Sequence, residues 1–489
     1  MSASTDPYHA VPYESFSYPQ SHPGRLATIA TLFAMSPAPL DGARVMEIGC
    51  ASGGNLLPLA AAYPGSKFVG IDLSERHIAD ARAGVDALKL GNVQLHAGGL
   101  EEVGEMSGSF DYIIAHGIYS WVTAPVREKL MALCKSRLAP SGIAYISYNT
   151  FPGSSARAAL RNMVRFRTRK LADPVEQISQ TRSFFAFVEL AMKERNDAYG
   201  QSMREEVSEA ANSEDFYIAH EYLEETNEPC YFHEFIEIAE QHGLQFLGEA
   251  EMQSMSASGF SSSVRSGLQG MAKNMVEAEQ YGDFLKNRAF RQTLLCHSGI
   301  ELKRAISPDR IRDFHVASSA ELIGGEVRPN TPAQFRDADG VIIQAADPLT
   351  KAMLLELREV WPRAIRFTDL LEKTCVRAGL ALENRTAVAL GNCLLACYAT
   401  SRAIEFQINP PQFCTFVSEF PMATELSRWQ AGRSSRVTNL RHENIVLGVV
   451  ESALLKKLDG LHGIGALEAK FSDARAILNR FAGGALLIA

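Results

Sequence analysis

Eight cysteines are scattered through 489 residues, and none belongs to a Cys-x-x-Cys pair. That excludes the commonest zinc and redox motifs and leaves Cys393 and Cys397 as buried positions on one helix face. Reduced thiols and a cytoplasmic location are expected. No run of about 18 apolar residues occurs, so no helical membrane insertion is expected. The first residues lack a basic segment followed by an apolar one, so no secretion signal is expected. Positive charge is also short. With Lys+Arg at 48 and Asp+Glu at 56, the net charge is −8, which argues against a sequence-independent grip on nucleic acid, since that needs many basic contacts. There is no internal repeat or low-complexity tract. Apolar residues at 46% and charged residues at 21% suit a folded chain with a sizeable core, and the length suits two or three domains.

The most informative stretch is Arg44 to Asn55. Val45 to Ile48 is an apolar run interrupted by one acid, Glu47, and suits a buried strand. Gly49, Cys50, Ala51, Ser52, Gly53 and Gly54 follow as a turn, and from Asn55 a helical pattern begins. Glycines let a ligand approach the backbone closely, and a helix start offers free N–H donors. After a Pro64-Gly65 turn, Lys67 to Asp72 reads as a second strand ending in an acid. An acid there can accept hydrogen bonds from ribose hydroxyls, each contributing about 1.5–3 kcal/mol.

Dinucleotides and S-adenosylmethionine both fit such a cradle. The glycines do not follow Gly-x-Gly-x-x-Gly, so the fingerprint for a pyrophosphate is broken. Glu47 would repel a pyrophosphate and attract the ammonium and sulfonium of S-adenosylmethionine. The order of later elements points the same way. Ser74 caps a helix reaching Lys89, Val93 to His96 is a third strand, and Phe110 to His116 a fourth. Pro125 to Leu138 is a helix, and Ile143 to Asn149 a fifth strand. His116, Gly117, Tyr119 and Trp121 follow the fourth strand, at the edge where open α/β sheets bind ligands.

These residues resemble class I S-adenosylmethionine-dependent methyltransferases. Val11-Pro12-Tyr13, Pro19 to Pro23, Glu47 to Asn55 and Tyr148 to Gly153 together resemble, more narrowly, the rickettsial-type bacterial protein lysine methyltransferases that carry a methyltransferase regulatory domain. The resemblance continues through Asn287 to Cys296 and Asp347 to Lys351, and so spans nearly the whole chain. It implies an α/β, Rossmann-like seven-stranded sheet with a helical insertion, plus a C-terminal winged-helix-like α+β domain. It implies S-adenosyl-L-methionine as cofactor. Glu47, Gly49 and the turn through Asn55 would hold the methionine part, Asp72 the ribose, and Leu73 and Leu100 the two faces of the adenine. Many class I enzymes carry an acid where Gly99 stands, so here the adenine amino group must be met by Glu101, backbone or water. Tyr13, His22, His116 and Gly117 complete the expected cofactor set.

Residues 1–25, rich in Tyr, Pro and His, read either as a packed arm or as an aromatic lid over the cofactor. The expected domains are 1–152, methyltransferase core with the arm; 153–220, helical insertion; 221–300, completion of the sheet; 301–345, connecting strands; and 346–489, the winged-helix-like domain. In the insertion, Arg157, Arg161, Arg165, Arg167, Arg169 and Lys170 form either a solvated face or a dock for an acidic substrate segment. Ser254 to Ser266 reads as a mobile loop. Leu244 to Met252 and Gln292 to His297 read as the sixth and seventh strands. In the last domain, helices over 348–361, 367–378 and 386–400 and a small hairpin resemble a winged helix, a fold that binds DNA or protein.

Methyl transfer is an in-line displacement, for which positioning supplies about 7–11 kcal/mol. A lysine acceptor must be neutral. With a reference pKa of about 10.4, that costs roughly 4 kcal/mol near neutrality, less in a desolvating slot. Tyr119, Trp121 and Tyr148 are the candidate walls, Asn149 would orient the amine, and His116 is a polar helper. The leading expectation is an N-methyltransferase acting on a lysine-bearing protein substrate. The alternatives are a small-molecule methyltransferase and a cofactor-sensing regulator with a winged-helix output. A homodimer is left open.

Overall fold

The computed structural model describes residues 15–105, 108–324 and 331–489. Tyr13 lies outside the described residues. Seven strands form the central sheet: β1 (Arg44–Ile48), β2 (Lys67–Asp72), β3 (Val93–Ala97), β4 (Phe110–Ala115), β5 (Leu138–Asn149), β6 (Leu244–Glu249) and β7 (Phe290–His297). Their order is β3-β2-β1-β4-β5-β7-β6. The first five run parallel, while β7 is antiparallel to both β5 and β6. The chain winds outward in both directions from β1 and β4, so a crevice opens at their C-terminal ends.

Apolar residues cover both faces, as a parallel sheet requires. On one face Val45, Tyr112 and Tyr145 pack under the helix Pro23–Leu32. On the other, Met46, Ile113, Tyr119 and Tyr148 pack with Phe235 and Leu130. The insertion adds helices Ser155–Thr168, Pro174–Lys193, Ala198–Ala211 and Asp215–Ile218 around their own cluster of Leu160, Phe185, Val207 and Tyr222. Asp173 caps the second of these through Glu176 N–H at 3.0 Å.

The expected basic face of the insertion is largely tied up internally. Arg157 Nε donates to Glu206 at 2.8 Å, buried Arg161 donates to the Glu224 carbonyl, and Arg165 donates to that of Glu225 at 3.0 Å. The serine-rich stretch also differs from expectation. It carries a helix, Ser262–Met271, whose cap is Ser261, accepting from Val264 N–H at 3.4 Å. Serine favours caps as much as loops, and here the cap role prevails.

The last third departs from the expected boundary. Helices Pro348–Val360, Phe367–Ala378 and Asn384–Thr400 do not start a separate winged helix. Their apolar faces, with Met353, Leu370 and Leu390, join the core that also holds Leu26 and Tyr145. A small sheet of His315–Ala317, Ile365–Arg366 and Glu405–Gln407 lies with them. The final compact cluster runs from Ala423 to Leu487. It contains helices Glu425–Gln430, Val449–Leu455, Ile464–Lys470 and Ala474–Gly483 and the hairpin Arg436–Thr438/Asn444–Val446. Among the described residues, no helix is long and apolar enough to cross a membrane.

Candidate active site

The turn after β1 is built by glycine. Gly49 has φ +72°, and a Cβ there would lie 2.2 Å from Ile118 Cδ1. The Gly49 and Cys50 amides both donate to the Ile71 carbonyl, at 2.8 and 3.1 Å, so the turn is pinned against β2. Cys50 is buried, its thiol pKa pushed well up by that burial. Its side chain packs where a Cβ on Gly70 would lie, so only its backbone lines the turn. Ala51 and Ser52 remain partly exposed on the outside of the bend. Gly53, at φ +82°, closes it with N–H donating to the Cys50 carbonyl at 2.9 Å.

Asp72 sits at the end of β2 and reaches back to this bend. Its Oδ2 accepts from Ala51 N–H at 2.9 Å, and its Oδ1 from Ser74 N–H at 2.9 Å. Leu73, beside it, is 78% exposed. At the end of β3, Gly98 N–H donates to the Asp72 carbonyl at 2.9 Å. Gly99 follows, half-buried, and Leu100 is packed in part against the second core. Glu101 is exposed and bonded to Lys129 Nζ at 2.5 Å, its carboxyl held below the usual range by that partner.

Glu47 is 3% exposed. Its Oε1 accepts from Asn55 Nδ2 at 2.9 Å, while its Oε2 has no partner among the described residues. Burial raises its pKa to about 8, against the Asn55 hydrogen bond and helped by the Asp72 charge. An orphaned carboxyl oxygen at this depth costs free energy unless a donor meets it. Asn55 does not cap the helix it precedes. Instead its Oδ1 accepts from Tyr18 N–H at 2.9 Å and lies 2.7 Å from His442 Nε2.

The arm therefore lies on the turn. Ser15 Oγ accepts from Gly54 N–H at 2.7 Å, and the Tyr18 ring stacks on His116 at 3.8 Å. His22 points elsewhere. It caps the following helix through Gly24 N–H at 3.0 Å, and its ring packs against Tyr63 and His442. Burial lowers its pKa to about 4. Its place beside Asn55's partner makes it a support of the cradle, in contrast to the direct contact expected of it.

At the end of β4, His116 Nδ1 lies 2.8 Å from Tyr145 Oη. Burial pushes the Tyr145 hydroxyl up and the His116 ring down to about 4, so the hydroxyl keeps its proton and the ring stays neutral. Gly117 is exposed and donates its N–H to Ser147 Oγ at 2.8 Å. Asn149 is buried, its Nδ2 donating to Asn227 Oδ1 at 3.1 Å. Trp121 is half-buried.

Tyr119 and Tyr148 correct the sequence reading. Each is 1% exposed. Tyr148 stacks on Phe235 at 4.1 Å, Tyr119 meets the same ring edge-on at 5.0 Å, and Tyr148 Oη lies 3.1 Å from Thr293 Oγ1. They form core beneath the edge. On β5, Tyr145, Ser147 and Asn149 share one face and Tyr148 the other, because side chains alternate. The structure thus brings together Glu47, Gly49, Ala51, Gly53, Asn55, Asp72, His116 and Gly117 at the C-terminal ends of β1, β2 and β4, linked in part through Tyr18. It adds Ser15, Tyr18, Tyr145, Ser147 and His442, which sequence reasoning missed as site residues. Tyr18 had a signal, as part of the aromatic arm. His442 had none.

Comparisons with known proteins agree with this fold. A model described as a methyltransferase domain matches residues 45–142. A predicted methyltransferase regulatory domain matches 214–297, and a PKMT C-terminal winged helix domain matches 419–476. An uncharacterized protein of Rickettsia prowazekii is 32% identical over 477 residues, covering 94% of this chain and 84% of that protein. The chain belongs to the rickettsial-type class I S-adenosylmethionine-dependent methyltransferases. A second Rickettsia prowazekii protein is 36% identical over 240 residues, 49% of this methyltransferase and 96% of the relative. The structure of PKMT2 from Rickettsia typhi matches it with a TM-score of 0.88 at 28% identity, over 98% of this chain and 100% of that one. That protein has also been solved in complex with AdoHcy.

The residues of this methyltransferase fit its cofactor. Among the described residues, Glu47 Oε2 is a buried acceptor without a donor, the match an ammonium would supply. Asp72 keeps lone pairs that ribose hydroxyls would fill, since each oxygen accepts one backbone N–H bond and can take two. The winged-helix match also begins at 419, in line with the late start of the C-terminal cluster.

Proposed function

We propose that this methyltransferase modifies lysine side chains of a protein substrate. The observation that carries the reading is likeness along the whole chain, winged helix included, to PKMT2 from Rickettsia typhi. S-adenosylmethionine, when bound, supplies the methyl group for in-line displacement by the acceptor nitrogen.

The protein's share of the work is to bind, orient and desolvate. Glu47 and Asp72 receive the charged and sugar ends of the cofactor. The neutral His116 ring, stacked on Tyr18, presents an uncharged aromatic edge. Beside such a surface an ammonium loses water it cannot replace, which favours the neutral amine that attacks. Trp121 is the remaining candidate wall, and Asn149, anchored by Asn227, the candidate group for orienting the amine. We assign adenine contact to Leu73, whose side chain stands exposed beside Asp72, and to Leu100 and the Gly99 backbone.

Self-association is part of the same proposal. Phe166, Val175, Phe187 and Leu190 of the insertion are each more than 60% exposed, a surface that supports a homodimer. The described cysteines are all free, which supports a reducing compartment such as the cytoplasm.

Incubating lysate proteins with isotope-labelled S-adenosylmethionine and this enzyme tests the substrate class. Label on lysine-containing peptides is expected. Label confined to small molecules overturns the reading and favours the small-molecule alternative.

A further inference from the structure

The C-terminal hairpin is folded into the cofactor cradle. Its turn residue His442 is 5% exposed, and its Nε2 lies 2.7 Å from Asn55 Oδ1, 387 residues away in the chain. The hairpin turn is itself rigid, with Asn439 Oδ1 accepting from the Arg441 and Glu443 amides at 2.9 and 2.8 Å.

Between hairpin and turn lies the arm. Asn444 Nδ2 donates to the Ser17 carbonyl at 2.8 Å, and Asn444 Oδ1 accepts from Ser17 Oγ at 3.0 Å. On its other side the arm is held by Gly54 and Asn55. The arrangement is a sandwich of glycine turn, arm and hairpin. The Trp429 ring of the same C-terminal unit also packs on Gly84, in the helix after β2, where a Cβ would come within 3.1 Å of it.

An asparagine amide has one donor end and one acceptor end. At Asn55 the donor end meets Glu47 Oε1. The acceptor end must then face donors, and Tyr18 N–H and His442 Nε2 provide them. His442 is neutral, because burial and nearby His22 hold its pKa well below the usual value. Its Nε2 facing a carbonyl oxygen carries the ring proton. Taking His442 away removes one donor from a buried acceptor, leaving Tyr18 N–H and Ser21 Oγ to hold the amide less firmly. The Asn55 bond that steadies the Glu47 carboxyl would then be weaker.

We infer that the winged-helix hairpin is a working part of the cofactor site: His442 is a positioning residue that holds Asn55, and through it Glu47, so cofactor occupancy and seating of the hairpin reinforce each other. Reciprocity follows from linkage, since two equilibria that bias one another do so by the same factor. The hairpin's turn is thereby engaged inside the protein, while Val446 on its second strand stays 68% exposed.

The test uses the full-length enzyme and S-adenosylhomocysteine. Calorimetry should show roughly tenfold weaker binding for His442→Leu, which removes the donor but keeps bulk, the size expected for one buried hydrogen bond of about 1.4 kcal/mol. His442→Gln, which can still donate, should restore binding to within about threefold. In the unmodified enzyme, hydrogen exchange across residues 436–446 should slow when the ligand is added. Unchanged affinity in His442→Leu overturns the inference. If that variant does not fold, exchange in the unmodified enzyme decides: ligand-dependent protection of the hairpin supports the inference, and none overturns it.

Discussion

Asp72 and Ala51 join the end of β2 to the glycine turn, with the Asp72 carboxylate accepting from the Ala51 amide at 2.9 Å. The same side chain that would meet the ribose also shapes the bend that would receive the methionine end. Asp72→Asn keeps the size and one acceptor oxygen but loses the charge. Cofactor affinity should fall about tenfold to hundredfold, the range for one or more charge-assisted bonds. Isothermal calorimetry measures it, and the melting temperature should move little if the bend survives.

Glu47 makes both binding and stability depend on pH. Its folded pKa, about 8, stands above its ordinary 4.5. The native state therefore holds a proton that the unfolded chain has lost between those values. The contribution favouring the fold is complete below pH 4.5 and fades as pH rises to 8. Glu47→Gln should remove this slope, read as the difference in denaturation curves between variant and parent. A cationic ligand favours the ionised form, so binding should release a proton below pH 8. Affinity should then rise by up to about tenfold per pH unit toward 8. Calorimetry in buffers of different ionisation enthalpy counts that proton, and Glu47→Gln should lose both effects.

Gly54 faces the arm so closely that a Cβ would lie 2.3 Å from the Ser15 carbonyl carbon. The nearest atoms, of Ser15 and Phe16, are all backbone, so Gly54→Ala cannot be absorbed by a rotamer change. The arm should lift from the turn. Faster hydrogen exchange over residues 16–22 and a several-fold weaker cofactor complex are the expected results. An unchanged exchange pattern would show that the arm tolerates the extra atom.

Tyr148 separates core from chemistry. Its hydroxyl meets Thr293 Oγ1, which donates in turn to Glu249 Oε1 at 2.8 Å. Glu249 also binds the fully buried Arg291 at 2.7 Å. Tyr148→Phe should cost about 1 kcal/mol in denaturant unfolding, as one buried hydrogen bond does. The methylation rate should remain near that of the parent. A loss of rate without a loss of stability would return Tyr148 to the reaction.

The central sheet was legible in the residues because its first two strands are short apolar runs closed by glycine or an acid, and the fourth is a short apolar run. β1, β2 and β4 lie within a residue or so of where those signals place them. The helices of residues 348–400 were legible as helices but not as members of the first core, since periodicity names a buried face without naming its partner. The tyrosines after β4 and within β5 looked like slot walls because aromatic residues at a ligand edge serve packing and recognition alike. Strand alternation and the Phe235 ring assign Tyr119 and Tyr148 to packing.

The local chemistry of the cofactor cradle was written in adjacent residues. Gly49 and Gly53 sit at positive φ, Glu47 precedes them, and Asp72 closes the next strand. Backbone sterics and one strand–helix–strand unit suffice to bring these groups together, so neighbouring residues determine them. The tertiary structure alone decided that Ser15 and Tyr18 would cover that bend and that His442 would reach Asn55 from the far end of the chain. Such contacts depend on how whole cores dock, and no short-range pattern of hydrophobicity or turn chemistry records that docking.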